Sequence, residues 1–281
     1  MNTDLAECFA LAESVFAPWV PSPDSQFVGD WVVLKPTEST WETKGPTWMK
    51  PFLEKEGFSS RFACVSEALK AVEFQSVYAD LVRPDAPMGF HACLLEKGGV
   101  SVGVVGNKEA GKSTLAAYLW SRGFNLYSDD GFQLETSDWT ATPISRRSRV
   151  RATSRELLGD ALWTRIAQQK DCFQGDDGSL LFHPCRRVAR NRLGAVVLLL
   201  ATESRLERLE ESEAVMSLAV HNHHYYSRGL GASLAGLAPL SNKIPVYRMG
   251  RATLPEQARR MESLFERLAE GVDPIGANVT A

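Results

Sequence analysis

The sequence predicts an α/β fold in which helices flank a core sheet and a smaller N-terminal lobe precedes it. From about residue 86 onward, apolar runs typical of buried strands alternate with helical patterns. The first 85 residues are instead rich in tryptophan and proline. Pro84 and Pro87 mark a junction, because a residue before proline avoids the helical conformation. We therefore expect an accessory lobe over residues 1–85 and a second domain over residues 86–281.

Composition narrows the functional classes. The chain has 281 residues, a net charge of -3 and 44% hydrophobic content, which fits ordinary globular domains. Its longest apolar run, Ala195–Ala201, is far shorter than the roughly 20 residues that span a bilayer. The N-terminus is acidic, unlike a signal peptide, so we expect a cytoplasmic protein with no membrane partner. The five cysteines form no C-x-x-C pair and should be reduced thiols. The near-neutral charge gives no general attraction to nucleic acid.

The elements follow from apolar spacing. The N-terminal lobe should be irregular or strand-rich and end in a helix over residues 66–80. Later strands are predicted at Cys93–Leu95, Val102–Val105, Phe124–Tyr127 and Ala195–Ala201, and helices at Thr114–Arg122, Arg155–Gln169 and Glu213–His223. The last helix should begin near Pro255, bury Met261, Leu264, Phe265 and Leu268, and end before Gly271.

The turn after the Val102–Val105 strand carries a phosphate-binding signature. It consists of Gly106, Asn107, Lys108, Glu109, Ala110, Gly111, Lys112 and Ser113, followed by Thr114, and satisfies G-x-x-x-x-G-K-[ST]. Its glycines let backbone amides face phosphate oxygens, and the next helix directs its positive dipole end at the same anion. We therefore expect a P-loop that binds a nucleotide. Lys112 should reach the β and γ phosphates, and the Ser113 hydroxyl should be a ligand of Mg²⁺.

An acidic pair, Asp129 and Asp130, closes the first strand after that helix. In a parallel sheet, this strand end would lie beside the P-loop. Phosphoryl transfer needs a carboxylate that holds the metal or accepts a proton from the acceptor. A solvated Asp-Asp-Gly turn is the alternative interpretation.

These motifs and their spacing resemble the HPr serine kinase family. That family carries a histidine on the strand before its P-loop and an Arg-Gly segment ending in Asp-Asp after the following helix. Here the histidine is His91, and the second segment runs from Arg122 to Asp130. The resemblance covers about Gly89 to Glu135, with a weaker similarity beyond.

The resemblance implies a kinase that uses ATP as its phosphoryl donor, and it implies roles for individual residues. Asp129 would deprotonate a serine-type hydroxyl, Asp130 would help to hold Mg²⁺, and His91 would lie near the pair and tune it. Lys112 would stabilise the negative charge of the phosphates during transfer. The Glu-Val-Arg-Gly signature of the HPr kinases proper is absent after the acidic pair. The roles of its glutamate and arginine, and the coupled phosphorylase activity, are therefore not carried over.

The acceptor implied by the resemblance is a serine of a protein or peptide, since some related proteins resemble kinases that tailor peptides in natural-product clusters. Two alternatives stay open. The chain could phosphorylate a small-molecule alcohol such as an amino acid or a sugar, or it could be a nucleotide-binding regulator or ATPase that transfers nothing. The sequence is also compatible with a homo-oligomer.

Three further patterns have weaker interpretations. Arginines at 146, 147, 149, 151 and 155 suit either phosphate oxygens or a solvated loop. His221 and His224 would share one helix face, but no carboxylate or cysteine stands at ligand spacing, so no metal site is expected there. The segment Asn242–Pro245 lacks the aspartate that would recognise guanine, so a GTPase switch is not expected.

Overall fold

The computed structural model describes residues 32–37, 40–44, 61–62, 87–144, 147–170, 172–175, 177–184, 191–200, 205–223 and 228–271. The chain divides into two compact units, Met1–Arg83 and Pro84–Ala281. In the first unit, β1 (Val32–Thr37), β2 (Thr40–Lys44) and β3 (Arg61–Phe62) form an antiparallel sheet in the order β1-β2-β3. The helix expected over residues 66–80 lies outside the described residues.

The described part of the second unit contains twelve strands and six α-helices. The strands are β4 (Met88–Phe90), β5 (Ala92–Lys97), β6 (Val100–Gly106), β7 (Asn125–Ser128), β8 (Phe132–Glu135), β9 (Thr140–Pro143), β10 (Ser148–Val150), β11 (Phe173–Gln174), β12 (Leu180–Phe182), β13 (Asn191–Leu199), β14 (Leu206–Arg208) and β15 (Val246–Met249). The helices are α1 (Lys112–Ser121), α2 (Arg155–Leu158), α3 (Asp160–Ala167), α4 (Glu211–Ala219), α5 (Leu230–Ser241) and α6 (Leu254–Ala269). A short 3₁₀ turn, Ala152–Ser154, precedes α2.

Nine strands form a central, mostly antiparallel sheet. Seven follow the order β4-β8-β9-β13-β6-β5-β7, while β15 pairs with the C-terminal half of β13 and β14 pairs with β15. Among the described strands, the parallel pairs are β6–β13 and β13–β15. The remaining strands β10, β12 and β11 form a separate antiparallel sheet in that order. This mixed α/β architecture confirms the predicted fold class, a sheet with flanking helices.

The expectation of a parallel sheet around the acidic pair is wrong. Strand β5 lies between β6 and β7 and is antiparallel to both. Gly98 and Gly99 both have positive φ, which permits the tight two-residue hairpin turn that reverses β5 into β6. Because β5 is antiparallel to both of its neighbours, β6 and β7 run in the same direction. Their carboxyl ends therefore lie at the same edge of the sheet.

Helices cover both faces of the central sheet. On one face, Leu218 of α4 and Leu237 of α5 pack against sheet residues such as Val196. On the other face, apolar residues of α1 and α6 pack against the opposite side of the same strands, including Val197. Neighbouring residues of β13 thus point into different layers, as the alternation of a strand requires. The predicted fully buried strand is confirmed.

Helix α1 ends as the sequence predicts. Gly123 has a φ of 89°, its amide donates to the Trp120 carbonyl at 3.1 Å, and the Phe124 amide donates to the Leu119 carbonyl at 3.2 Å. This pair of bonds is a Schellman motif, which glycine favours because it has no Cβ to clash in a left-handed conformation. The final helix is also confirmed, with Thr253 at its N-cap and Gly271, at a φ of 68°, after its end.

Two predicted helices differ from the structure. The helix predicted over Arg155–Gln169 is divided into α2 and α3, because Gly159 adopts a φ of 77° that breaks the helical hydrogen-bond pattern. The helix predicted over Glu213–His223 begins two residues earlier and ends at Ala219. His221 is therefore not helical, and His224, which was expected to share a helix face with it, lies outside the described residues. No helix among the described residues is long and apolar enough to cross a membrane.

Candidate active site

The loop between β6 and α1, residues Gly106–Ser113, forms one wall of the candidate site. A Cβ atom at Gly106 would lie 2.8 Å from the Leu199 carbonyl oxygen, so the close approach of β13 requires glycine. Gly111 precedes α1 with a φ of 96°, and α1 has neither a side-chain cap nor an acidic residue in its first turn. The first amides of a helix have no intrahelical acceptor, and they form its positive end. This helix terminus is therefore suited to an anion.

Lys112 is the first residue of α1 and is buried. Its Nζ donates to the carbonyl oxygens of Gly106 at 2.7 Å and Asn107 at 3.1 Å, which places the ammonium inside the curve of the loop. Burial lowers its pKa, and the nearby Cys93, Asp129 and Asp130 oppose that shift. The ammonium therefore lies within electrostatic reach of the acidic pair.

Asp129 follows β7 and is only 6% exposed. The Cys93 thiol donates to its Oδ1 at 3.0 Å and the Arg149 amide donates to its Oδ2 at 3.2 Å. The Ser113 side chain is a third hydrogen-bond partner. Burial, and then the charge of Asp130, raise the pKa of Asp129 to about 6, although the three hydrogen bonds act against this increase. Asp129 is thus a buried carboxyl group that changes protonation near neutral pH, and it does not face bulk water.

Asp130 is half-buried in the tight turn that leads to β8. The Ser128 hydroxyl donates to the Ile144 carbonyl at 2.8 Å and accepts from the Gly131 amide at 3.2 Å, which fixes this turn. The exposed His91 places its Nδ1 3.0 Å from the main-chain oxygen of Asp130. The structure thus brings His91, Lys112, Ser113 and both aspartates together at one edge of the sheet.

Gly131→Ala is expected to destabilise the protein by about 2 kcal/mol, because overpacking that forces a backbone shift has a cost of this size. A Cβ atom here would lie 2.7 Å from the Phe90 carbonyl oxygen and 2.9 Å from Ile144 Cδ1. Urea denaturation measures the change in the free energy of unfolding. The matched control is Gly231→Ala in α5, where a Cβ atom meets nothing within 4 Å. Equal stabilities of the two variants would contradict the crowding.

His221 belongs to the same neighbourhood, although no sequence pattern indicates a role for it in phosphoryl transfer. Its carbonyl accepts from the His91 amide at 3.4 Å, and a bridge between Phe90 and Asn222 ties the following residue to β4. Burial, and then the charges of Lys112 and His91, lower the pKa of His221 to about 4. The imidazole is therefore neutral at physiological pH. No local pattern could reveal it, because the contact joins segments about 130 residues apart in sequence.

The arginine run borders the site at β10 and the turn after it. The Arg149 guanidinium is held by Asp177 and, at 3.2 Å, by the Ser179 hydroxyl. The Arg151 guanidinium pairs with Glu109 of the Gly106–Ser113 loop at 3.0 Å. Both guanidinium groups are thus paired with carboxylates, which agrees with the alternative of a solvated loop. Arg151 nevertheless lies beside the Gly106–Ser113 loop. Arg146 lies outside the described residues.

Thr114 of α1 connects this helix to the turn that follows β10. Its hydroxyl lies 2.8 Å from the Ser154 hydroxyl. The contact is buried and joins the first turn of α1 to the end of the 3₁₀ turn. Together with the Arg149 amide on Asp129, it shows that β10 and the turn after it close one side of the candidate site.

The oxygen-rich side chains at the site suit a hard divalent cation better than a transition metal. Mg²⁺ is usually bound by one or two carboxylates together with substrate phosphates. The Ser113 hydroxyl and the aspartate pair supply ligands of that kind. Among the described residues, no group of three or more His, Cys, Asp and Glu side chains forms a complete metal cage by itself. A cation here would therefore need further oxygen ligands, as a nucleotide provides.

The raised pKa of Asp129 predicts how stability depends on pH. Its folded-state pKa of about 6 exceeds the ordinary value of 3.8, so protonation stabilises the fold. This contribution is complete below pH 3.8 and is lost as the pH rises through 6, a change of about 3 kcal/mol. Asp129→Asn cannot undergo this change. We expect the variant to gain about that much stability relative to wild type between pH 4 and pH 8.

Urea unfolding in the presence of EDTA measures this difference at each pH without a cation that would bind the carboxylate. A stability difference between wild type and Asp129→Asn that stays constant from pH 4 to pH 8 would contradict a raised pKa. A difference that changes in the opposite direction would indicate a carboxylate stabilised in its charged form.

Comparisons with known proteins find a remote likeness among solved structures. No family model and no curated protein matches the chain. Among solved structures, the chain is similar to the Hpr(Ser) kinase/phosphatase from Coxiella burnetii, with 15% sequence identity and a TM-score of 0.33. The match covers 64% of this chain and 98% of the other.

Proposed function

We propose that this protein is a Mg²⁺-dependent kinase that transfers the γ-phosphoryl group of ATP to a hydroxyl group, with Gly106–Ser113 as its P-loop. One observation supports this function above others: an uncapped helix terminus and a buried lysine adjoin a carboxyl pair in which Asp129 is buried and Asp130 half-buried. An anion site alone would only bind nucleotide. A carboxylate with a pKa near neutrality adds a proton acceptor beside that site.

In this proposal, the loop amides and Lys112 hold the β and γ phosphates of ATP. The residues that line this cradle run from Gly106 to Thr114. Ser113 and Asp130 hold Mg²⁺, which neutralises charge that develops on the phosphates. His91, next to the main chain of Asp130, tunes the acidic pair.

The transfer step then changes few covalent bonds. The acceptor oxygen forms a bond to the γ-phosphorus, the bond from that phosphorus to the β–γ bridging oxygen breaks, and ADP leaves. Asp129 takes the proton of the acceptor hydroxyl. A base is most effective when its pKa lies near the working pH, and a pKa of about 6 suits this role.

We propose a serine of a protein or peptide as the acceptor, following the resemblance of the His91, loop and Asp-Asp pattern to the HPr serine kinases. The deciding experiment incubates the full chain with γ-labelled ATP, Mg²⁺ and a pool of serine-containing synthetic peptides. Parallel reactions contain free serine or simple sugars in place of the peptides, and EDTA in place of Mg²⁺.

Label on the peptides, dependent on Mg²⁺, would support the whole proposal. Label on serine or a sugar alone would support the kinase and reject the peptide acceptor. Release of free labelled phosphate without any labelled acceptor would contradict a kinase and favour the ATPase alternative.

A further inference from the structure

Cys93 lies against Asp129 in the interior of the protein. Its side chain is fully buried, and its Sγ is 3.0 Å from Asp129 Oδ1 and 3.5 Å from the Asp129 carbonyl oxygen. A thiol donates only a weak hydrogen bond. However, a bond to an ionised acceptor is stronger than one between neutral groups, and burial strengthens it further. The Cys93 thiol therefore contacts the carboxylate that we propose as the general base.

The position of Cys93 follows from the sheet order. Strand β5 lies between β6, which leads into the Gly106–Ser113 loop, and β7, which leads into the acidic pair. Cys93 is paired with Val104 of β6, and its neighbour Leu94 is paired with Ser128 of β7. A side chain on β5 at this register is thus fixed by both strands that build the site.

The other oxygen of the carboxylate is held from a different element. The Arg149 amide of β10 donates to Oδ2 at 3.2 Å. That strand is held in turn by the contacts of the Arg149 guanidinium with Asp177 and Ser179. Rotation of the carboxylate is therefore restrained at both oxygens, by a side-chain donor from β5 and a main-chain donor from β10.

The thiol acts as a donor here and not as a nucleophile. Burial, and then the charge of Asp129, raise the pKa of Cys93 well above its ordinary value. The group is therefore a protonated S–H at neutral pH. A thiolate at 3.0 Å would repel the carboxylate instead of holding it.

We propose that Cys93 is a positioning residue for phosphoryl transfer, whose S–H fixes the orientation of the Asp129 carboxylate so that its remaining lone pairs face the acceptor hydroxyl. The inference rests on the proposed kinase function. A misoriented base loses rate even when every other contact of the nucleotide is intact. The effect should therefore fall on kcat and leave the KM for ATP nearly unchanged.

Substitutions separate this role from simple core packing. Cys93→Ser keeps a donor, whereas Cys93→Val fills the space without one. We expect Cys93→Val to lower kcat about tenfold, equivalent to roughly 1.4 kcal/mol, with the KM for ATP within about twofold of wild type. Cys93→Ser should keep kcat within about threefold of wild type. Cys172→Val is the matched control, because Cys172 lies 4.0 Å from its acceptor, the Phe173 carbonyl.

A wild-type kcat in Cys93→Val, or an equal loss in the serine and valine variants, would overturn the inference while the kinase function stands. A wild-type chain that transfers no phosphoryl group would overturn the proposed function and this inference together. If Cys93→Val does not fold, Cys93→Ala provides the donor-free variant.

Infrared spectroscopy tests the same contact without any activity. The S–H stretching band of Cys93 is obtained by subtracting the spectrum of Cys93→Ser from that of the wild type. We expect this band at lower frequency than the corresponding band of Cys172, because the carboxylate is the stronger acceptor. In Asp129→Asn, where a neutral amide replaces the carboxylate, part of the displacement should be lost. Coincident Cys93 and Cys172 bands would overturn the inference.

Discussion

Asp129→Asn should lower kcat for phosphoryl transfer by about 10³-fold while ATP binding stays within about threefold of wild type, since a positioned general base contributes 10²–10⁴-fold. Asparagine occupies nearly the same volume, and its single amide oxygen can still accept from the Arg149 amide. Its NH2 group would then face the Cys93 sulfur, which is a weak acceptor, so the site should keep its shape. Asparagine cannot accept the proton of an acceptor hydroxyl. Single-turnover transfer from γ-labelled ATP measures the chemical step, and calorimetric titration with Mg²⁺-ATP measures binding.

The matched control for this variant is Asp160→Asn. Asp160 is an exposed aspartate paired with Arg155 at 2.7 Å, so its replacement should leave both kcat and the Kd for ATP unchanged. If Asp129→Asn instead lost nucleotide binding, Asp129 would be a component of the cradle and its role as the base would be rejected.

Lys112→Met is expected to weaken ATP binding by at least about 10²-fold and to abolish measurable transfer, because it removes the buried cation that we propose as the partner of the phosphates. Methionine approximates the length of the lysine stem. It cannot donate to the Gly106 and Asn107 carbonyls as the Lys112 ammonium does at 2.7 and 3.1 Å. Calorimetric titration with Mg²⁺-ATP and the labelled transfer assay measure the two losses.

Lys97→Met serves as the control for charge alone. The Lys97 ammonium lies 4.4 Å from the centre of the Phe124 ring, away from the loop, so its removal should not change the Kd for ATP. Normal ATP affinity in Lys112→Met would show that the Gly106–Ser113 loop is not the nucleotide site. The kinase function would then be rejected with it.

The elements that carry strong local signals could be predicted from the sequence. The final helix has a proline near its start, an apolar stripe and a glycine after its end, and it lies where these signals place it. The buried strand β13 was recognised because burial on both faces leaves a continuous apolar run. Short strands such as β8 and β10 were missed, since three or four residues give no usable period. Helix α5 was also missed, because it contains glycines and Pro239.

The candidate site was predicted in part. A complete phosphate-binding motif predicts the loop residues, and a spacing that resembles a known family indicates His91 and supports Asp129–Asp130. These residues lie together in the structure. Cys93 and His221 could not be selected in this way. Each reaches the site through a contact between segments far apart in the sequence, and a lone cysteine or histidine has no pattern of its own.

The sequence by itself determined the α/β class, the glycine loop, the two aspartates and the helix ends marked by Gly123 and Gly271. These depend on interactions among residues within about ten positions, which local chemistry specifies. Only the tertiary structure decided that the sheet is mostly antiparallel and that β5 separates the loop strand from the aspartate strand. It also decided that Asp129 is buried and accepts hydrogen bonds from the Cys93 thiol and the Arg149 amide. Strand order and burial arise from packing between distant segments, and that packing sets both the proton affinity of Asp129 and the direction its carboxylate faces.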